Sequence, residues 1–471
     1  MPNIPEDAHA SSGSFGDSNP SVVLEAAAAT AAALLSNGAA ASEAAEAASQ
    51  ITEAGGMQTA TTSAGYSDVT IYWTDSEERT YFAIRPVPAR VFDYGRLTSV
   101  MELVDRVRSG HVRPYEASRS VRALEQQRAR YPWWATRLAT GAAGSMASVL
   151  FGGGPFVAMA AFLVNLVVDW LFTALFRRGW PSFFVQAVVG VLAVAVAAVI
   201  QAIAPETSPA VVVVAVIIVA LAGMTSTGAV QDAITGWYIN AAGRIFEGVT
   251  NTAGLVAGVQ LGLLVIHLLG LPLSISQNVG IGTFPLPVVL AAAALVALGF
   301  GIASQTPPLA FIPTALLAAL SYATFNVVIP IAGAIWGAAG AAFLAGLIAV
   351  AVTNRLRLPT TAVATCAILP MLPGLQLYQG LLELSGRQPR PGSSLLAAVG
   401  TALALAAGTS FGEYCGVILW RALRVIAGRA FVPLFASPTR KGRWESHRTA
   451  HTKGPQRATS GDQRLTPDDE N

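Results

Sequence analysis

Polar and charged side chains cluster directly after one of the most apolar parts of the chain. Residues 209–223 read PAVVVVAVIIVALAG, and residues 221–247 then add hydroxyl, amide, carboxylate and guanidinium groups. Ionisable groups beside a long apolar helix are costly in free energy, so they commonly mark a binding site or a pathway for polar solutes. The candidate substrate or gate residues of this first polar cluster are Thr225, Ser226, Thr227, Gln231, Asp232, Tyr238, Arg244 and Glu247.

Each of these residue types has a chemical use and an ordinary structural alternative. The hydroxyls can bind a substrate hydroxyl or ammonium group, but helical Ser and Thr also donate to their own backbone carbonyls. Asp232 can carry a proton or bind an ammonium group, because desolvation favours its neutral form; alternatively, it is a solvated carboxylate at a helix end. Arg244 and Glu247 are three positions apart, so they either pair with each other or form a gating latch.

The composition is that of a polytopic membrane protein. Hydrophobic residues make up 53% of the 471-residue chain and charged residues only 12%, with a mean hydropathy of +0.53. Soluble domains carry about 25% charged residues. The basic residues are scattered, which excludes nucleic acid as a partner. Cys366 and Cys415 both lie in apolar runs, so we predict neither a disulfide nor a metal site, and no cofactor.

The two ends of the chain differ from its apolar middle. Residues 1–17 are polar and are expected to be disordered, without a signal peptide. Residues 18–131 contain helix patterns and three strand-like runs, which predicts a small α+β domain in the cytoplasm. Residues 436–471 are polar and predict a disordered tail.

The middle of the chain predicts ten membrane-spanning helices. They begin after an aromatic belt at Tyr131–Trp134. Most loop arginines fall on the side that is cytoplasmic if both termini lie inside, although Arg387 and Arg390 fall outside. We therefore expect a multi-pass protein of a bacterial inner membrane, with both termini cytoplasmic. The predicted spans are 136–152, 155–176, 182–203, 209–230, 247–270, 284–303, 306–325, 329–352, 359–381 and 394–420.

The spans form two sets of five that start at a nearly constant separation of 147–151 residues. At an offset of 151, residues 221–224 (LAGM) align with 372–375 (LPGL), and Asp232 aligns with Glu383. Five spans is an odd number, so the halves 132–272 and 273–425 would be inverted in the membrane, as in alternating-access transporters. The repeat defines a second polar cluster on the external side, with the first on the cytoplasmic side. Its members are Gln376, Tyr378, Gln379 and Glu383.

Two acidic residues lie deeper in the predicted spans than the polar clusters. Asp169 lies in the second span and Glu413 in the tenth, and each needs a partner or a proton there. Asp232, Asp169 and Glu413 are therefore the candidate proton-coupling residues. In the fifth span, glycines recur every four residues, including Gly254 and Gly258, which predicts close helix packing or a dimer face.

Several motifs together resemble the threonine/serine exporter family. They are Gly38 after the first helix, the run 86–97 (PVPARVFDYGRL), Tyr131–Trp133, 150–153 (LFGG), the first polar cluster, and 372–375 with Tyr378. Two departures stand out: residues 38–43 read GAAASE where the family usually has a polar or basic pair before the acid, and Ala222 replaces a frequent proline. The resemblance implies a cytoplasmic domain before ten spans in two related halves. It also implies export of small hydroxylated amino acids driven by the proton motive force.

The leading hypothesis is a secondary transporter that exports threonine, serine or similar small polar solutes by alternating access, with protons as the coupling partner. A channel or an importer on the same fold is one alternative. Another is a membrane-tethered hydrolase, but residues 18–131 hold one histidine, no cysteine and no recognisable triad, so we predict no enzyme. The N-terminal domain can instead be a regulator that plugs the inner mouth. The lipid bilayer is an expected partner, and a homo-oligomer is possible.

Overall fold

The computed structural model describes residues 19–88, 90–205, 210–222, 226–270, 284–356, 358–383 and 392–426. The segments predicted to be disordered, 1–17 and 436–471, lie outside these ranges, as do Thr225 and the loop arginines Arg387 and Arg390.

The N-terminal domain is built from four helices and one small sheet. Asn19 accepts a hydrogen bond from the Ser21 amide at 3.1 Å, and Pro20 occupies the first helical position, so α1 begins where its capping residues predict. The helices are α1 (Pro20–Ser36), α2 (Ala41–Ala54), α3 (Tyr94–Arg108) and α4 (Ala117–Gln126). The strands are β1 (Thr61–Ala64), β2 (Asp68–Thr74) and β3 (Thr80–Pro86).

The three strands form an antiparallel sheet in the order β1-β2-β3. They lie within a few residues of the strand-like runs in the sequence. In β2, Val69 and Ile71 are buried while Asp68 and Tyr72 are exposed, which is the alternation expected of a strand with one face on a core. That core is formed mainly by the alanine- and leucine-rich faces of α1, α2 and α3, and it also includes Ala362 and Cys366 of the membrane part. The N-terminal domain and the membrane part therefore share a hydrophobic core.

Long apolar helices make up the rest of the described chain. Seven described helices are long and apolar enough to cross a membrane, or eight if one bent pair counts as a single span. The chain is thus a multi-pass, mainly helical membrane protein, while ten spans remain a prediction. The helices are α5 (Trp133–Leu150), α6 (Pro155–Arg177), α7 (Ser182–Ile203), α8 (Ala210–Ala222), α9 (Ser226–Ile234), α10 (Tyr238–Leu268), α11 (Leu286–Ala303), α12 (Phe311–Ala332), α13 (Ala334–Leu356), α14 (Thr360–Ile368), α15 (Gly374–Leu382) and α16 (Ser393–Ile426).

Two of the predicted spans, 136–152 and 209–230, do not reach this measure within the described residues, for different reasons. The described part of α8 has 13 residues, whereas a helix that spans the hydrocarbon core alone needs about 20. α5 has 18 residues but includes Arg137 and several hydroxyl-bearing or small residues, which lower its hydropathy.

The tightest helix pairs are α7 with α10 and α13 with α16, and glycines allow their backbones to approach. A Cβ on Gly258 of α10 would lie 1.9 Å from the Ala187 carbonyl oxygen of α7. In the second pair, a Cβ on Gly412 of α16 would lie 2.1 Å from the Phe343 carbonyl oxygen. The glycine repeat of the fifth span therefore packs within the chain, against α7. In a membrane, where apolar burial gives little driving force between helices, such close approach is a main source of packing energy.

Candidate functional site

One helix of the membrane part is interrupted within the described residues. In the first half, the described residues give α8 up to Ala222 and α9 from Ser226. In the second half, α14 continues into a short 3-10 turn and then α15, with a bend of 48° between the two parts. This interruption coincides with residues 372–375, whereas residues 223 and 224 of the aligned segment lie outside the described part of the structure. Interrupted helices expose backbone polar groups within the membrane and commonly form binding sites there.

A buried ion pair joins α9 to α10. Asp232 of α9 and Arg244 of α10 are joined by an Nε–Oδ2 distance of 3.3 Å, and both side chains are 0% exposed. Gly236, with a φ of +88°, turns the chain between the two helices and so places the two charges face to face. Asn240 also donates its side-chain amide to Asp232 Oδ2. The alternative that Asp232 is a solvated carboxylate is therefore wrong.

The expected pairing of Arg244 with Glu247 is also wrong. Arg244 turns towards Asp232 because α9 folds back alongside α10, whereas Glu247 accepts a hydrogen bond from the hydroxyl of Tyr66 in the N-terminal domain. The two residues of the predicted latch thus hold different partners. Arg244 Nη1 lies against Gly228 and makes no hydrogen bond with the described residues.

The N-terminal domain binds both members of the ion pair through its backbone. The Ala41 amide donates to Asp232 Oδ1 at 2.7 Å, and the Ala39 carbonyl accepts from Arg244 Nη2 at 2.6 Å. Gly38, with a φ of +102°, allows the turn between α1 and α2 that presents both groups. The N-terminus of α2 carries a partial positive charge, which favours a carboxylate at this position. We call residues 37–41 the docking turn.

A second set of contacts joins the domain to α10. Arg90 donates to the Asn240 side-chain oxygen at 3.0 Å and stacks on the Tyr66 ring, with its guanidinium carbon 4.2 Å from the ring centroid. Tyr66 in turn packs on Gly243, where a Cβ would lie 2.6 Å from the ring. These contacts surround the ion pair with protein on the side of the N-terminal domain.

A third set joins the domain to the end of α11. The Tyr94 amide donates to the Ser304 carbonyl at 2.9 Å, and the Tyr131 amide donates to the Gln305 side chain at 2.8 Å. Arg90 and Tyr94 of the motif 86–97 therefore both lie at the contact between the N-terminal domain and the membrane helices. The described N-terminal domain is an integral part of the site.

Glu43, which sequence reasoning did not select, lies beside the ion pair. It is the third residue of α2 and accepts a hydrogen bond from the Ala40 amide at 3.2 Å. Its side chain is partly buried, and this burial is the main reason that the pKa of Glu43 is raised to about 7; nearby Asp232 raises it further, while the Ala40 amide and Arg244 oppose the shift. The available signal was the spacing of Gly38 and Glu43 in residues 38–43.

The second polar cluster is arranged differently from the first. Glu383 is 4% exposed and accepts hydrogen bonds from the Ser394 amide and the Ser393 hydroxyl, both at 3.1 Å, so it caps α16. Tyr378 is buried on α15. Gln376 and Gln379 are half-buried, and the side-chain oxygen Oε1 of Gln376 has no hydrogen-bond partner among the described residues. At the rise of an α-helix, the capped end of α16 lies about 30 Å from Glu413, which matches the thickness of a bilayer core.

The remaining predicted residues are more scattered. Gln231 is half-buried on α9, and Tyr238 is 72% exposed at the start of α10, apart from the ion pair. Ser226 and Thr227 belong to α9, but their side chains lie outside the described part of the structure. Glu413 is half-buried on α16, which packs against α9.

Asp169 pairs with Arg137 rather than with either polar cluster. Its Oδ2 lies 3.4 Å from Arg137 Nε, and the two side chains are 30% and 27% exposed. Arg137 also lies over the Trp133 ring, 4.9 Å from its centroid. Asp169 thus has the partner that its depth predicted, and this partner is Arg137 of α5, near the aromatic belt at Tyr131–Trp134.

Comparisons with known proteins agree on one family. The family profile described as "Putative threonine/serine exporter" matches residues 25–266, and the profile "Threonine/Serine exporter, ThrE" matches residues 289–414. No solved structure matches the chain.

Two curated relatives cover most of the chain. A "Probable threonine/serine exporter" of Mycobacterium tuberculosis is 34% identical over 74% of this chain, and the match spans 66% of that protein, just under two thirds. A "Threonine/serine exporter" of Corynebacterium glutamicum is 28% identical over 81% of this chain and 80% of its own length. Both matches extend well beyond a single motif.

Proposed function

Because this chain belongs to the threonine/serine exporter family, a family of transporters and not of enzymes, we propose that it exports threonine, serine or similar small amino acids across the bacterial plasma membrane. The observation that carries the proposal is the fully buried Asp232–Arg244 pair, which joins the neighbouring helices α9 and α10. A buried ion pair is a poor source of stability by itself. Its value here is that its two charges match the two charges of an amino acid.

The pair can act as an inner gate that the substrate opens. An amino acid presents a carboxylate and an ammonium group, so it can replace Asp232 as the partner of Arg244 and replace Arg244 as the partner of Asp232. Arg244 already holds an Nη1 donor without a hydrogen-bond partner in the described residues. The exchange keeps each buried charge compensated, which avoids the cost of an unpaired charge. The closed gate and the substrate-bound site are then two alternative states of the same side chains, Asp232 and Arg244.

Alternating access between two inverted halves is supported by a matching feature of the two halves. Glycines bring α7 against α10 in one half and α13 against α16 in the other. Transporters with inverted repeats move one unit against the other. We infer that the first polar cluster forms the inner gate and the second the outer gate, with ten spans and both termini inside.

Transport in everted membrane vesicles tests this proposal. In such vesicles export becomes uptake, so an interior-acid pH gradient should drive accumulation of radiolabelled threonine or serine above the external concentration. A protonophore should abolish the accumulation, and vesicles without the protein give the background. Flux that is only downhill and is unchanged by the protonophore would support a channel and contradict proton-coupled export.

Asp169 is expected to be dispensable for this coupling. Its pair with Arg137 is about one third exposed, so replacement by asparagine should cost at most about 1 kcal/mol of stability. Accumulation by Asp169→Asn should remain close to the wild-type level. Thermal unfolding in detergent and the vesicle assay measure the two effects. Loss of gradient-driven uptake with a normal unfolding temperature would restore Asp169 as a proton-coupling candidate.

A further inference from the structure

The N-terminal domain contacts the two halves of the membrane part with different chemistry. Its contacts with α9 and α10, in the first half, include several hydrogen bonds. The Ala41 amide and the Ala39 carbonyl bind the ion pair of the gate, and Arg90 donates to the Asn240 side chain at 3.0 Å. A hydrogen bond is readily exchanged when water or another polar group takes over as the partner. These contacts with the first half are therefore suited to repeated breaking and re-forming.

The second half shares a hydrophobic core with the domain. Ala362 and Cys366 of α14 are 1% and 0% exposed within that core. A Cβ on Gly95 of α3 would lie 2.7 Å from the Gln305 carbonyl oxygen after α11, so the two backbones approach closely. Trp237 of the first half packs on the same core but is only partly buried. Separation from α14 would expose buried apolar surface to water, so we expect the domain to stay with the second half.

The docking turn offers the ion pair the same kinds of group as an amino acid does. The Ala39 carbonyl oxygen accepts from Arg244 Nη2 at 2.6 Å, as a substrate carboxylate oxygen would. The Ala41 amide donates to Asp232 Oδ1 at 2.7 Å, as a substrate ammonium group would. Both charged side chains are 0% exposed in this docked state, so a solute from the cytoplasm reaches them only after the turn has left. The docking turn and an amino acid thus compete for the same atoms.

We propose that the docking turn is a built-in competitor of the substrate and that the N-terminal domain moves with the second half when the inner gate opens, an inference that rests on the proposed export by alternating access. As the halves separate on the cytoplasmic side, the domain stays on α14 and the docking turn leaves the Asp232–Arg244 pair. A cytoplasmic amino acid then takes its place. Without substrate, the gate closes on the backbone of the protein itself.

A reversible cross-link between the domain and the first half tests this inference. A Cβ on Gly243 of α10 would lie 3.0 Å from Tyr66 Cβ. A disulfide needs about 3.5–4.5 Å, so Tyr66→Cys combined with Gly243→Cys can be oxidised after a small backbone shift. In a chain with Cys366 and Cys415 replaced by alanine, oxidation of this pair should reduce threonine uptake by everted vesicles to the background of vesicles without the protein. A reductant should restore the uptake.

Val350→Cys combined with Gly416→Cys is the matched control. Its Cβ separation is also 3.0 Å, and it joins α13 to α16 within the second half, so its oxidation should leave uptake unchanged. Mass spectrometry measures how completely each cross-link forms. Normal uptake by the fully oxidised Tyr66–Gly243 pair would overturn the inference and leave the proposed export intact. Wild-type vesicles without uptake would instead contradict the proposed function.

Cysteine labelling is a second test, which needs no cross-link. Ala39 is 0% exposed in the docked state, so Ala39→Cys should react slowly with a membrane-impermeant maleimide on the cytoplasmic face. Threonine should accelerate the reaction, because it holds the docking turn away from the gate. Glu53→Cys, on the exposed face of α2, should react rapidly with or without threonine. Labelling of Ala39→Cys that threonine does not accelerate, in vesicles that accumulate threonine, would overturn the inference, and this test decides if the cross-linking pair does not fold or oxidise.

Discussion

Replacing Arg244 with methionine is expected to reduce export by about tenfold or more and to destabilise the folded protein by about 3–5 kcal/mol. The guanidinium is fully buried, and its removal leaves Asp232 as a buried charge that keeps, among the described residues, the Ala41 amide and Asn240 as hydrogen-bond partners. It also removes the proposed anchor of the substrate carboxylate. A charge-assisted hydrogen bond contributes about 1.5–3 kcal/mol, so export should fall by about tenfold or more. Thermal unfolding in detergent and uptake by everted vesicles measure the two losses.

A double variant separates the structural role of the pair from its role in transport. Asp232→Leu combined with Arg244→Met removes both charges, and buried pairs replaced by apolar side chains are commonly as stable as the original. We therefore expect the double variant to regain most of the stability but none of the export. Arg137→Met is the matched control, because it breaks a partly exposed pair with Asp169 and should cost at most about 1 kcal/mol. Export by the double variant at the wild-type rate would show that the pair is structural only.

The sequence was sufficient to select Asp232 and Arg244 but not to pair them. Both follow a long apolar run, where an ionisable group is too costly to be incidental. Spacing along a helix suggested that Arg244 pairs with Glu247. The actual pair forms because the chain reverses at Gly236, and the side chain of a residue in α9 then meets α10. Local periodicity predicts neighbours within one helix, whereas contacts across a turn depend on its geometry.

The role of the N-terminal domain was harder to predict because its contacts are distant in sequence. Ala41 and Asp232 are 191 positions apart, and the domain contributes backbone groups, which have no sequence signature. Glu43 was overlooked for a related reason: an acidic residue at the third position of a helix is an ordinary capping feature. Glu383, by contrast, was selected through its alignment with Asp232, and it caps α16. Composition and periodicity thus predict the helices and strands, but the contacts between elements that are distant in sequence are seen only in the structure.

The close contact between α7 and α10 leads to a second large effect. Gly258→Ala adds one methyl group where a Cβ would lie 1.9 Å from the backbone oxygen of Ala187. That oxygen belongs to the backbone of α7, so no side-chain rotation relieves the overlap and the two helices must separate. We expect a loss of at least about 2 kcal/mol of stability, as for an overpacked core, together with a lower yield of folded protein. Thermal unfolding and size-exclusion chromatography in detergent measure both.

Gly248→Ala is the matched control, since it makes the same change in the same helix where no atom lies within 4 Å of the added Cβ. Alanine favours a helix over glycine by about 1 kcal/mol, so this variant should be as stable as the wild type or slightly more stable. The two substitutions are thus expected to change the stability of the protein in opposite directions, although both replace glycine with alanine. Equal effects at both positions would mean that the α7–α10 contact is looser than the structure shows.

A similar loss in Gly412→Ala, on the corresponding helix of the second half, is expected because its Cβ would meet the Phe343 carbonyl oxygen at 2.1 Å. Such a loss would further support two halves built on the same packing plan, because the chain would then depend at both positions on the backbone approach that only glycine permits.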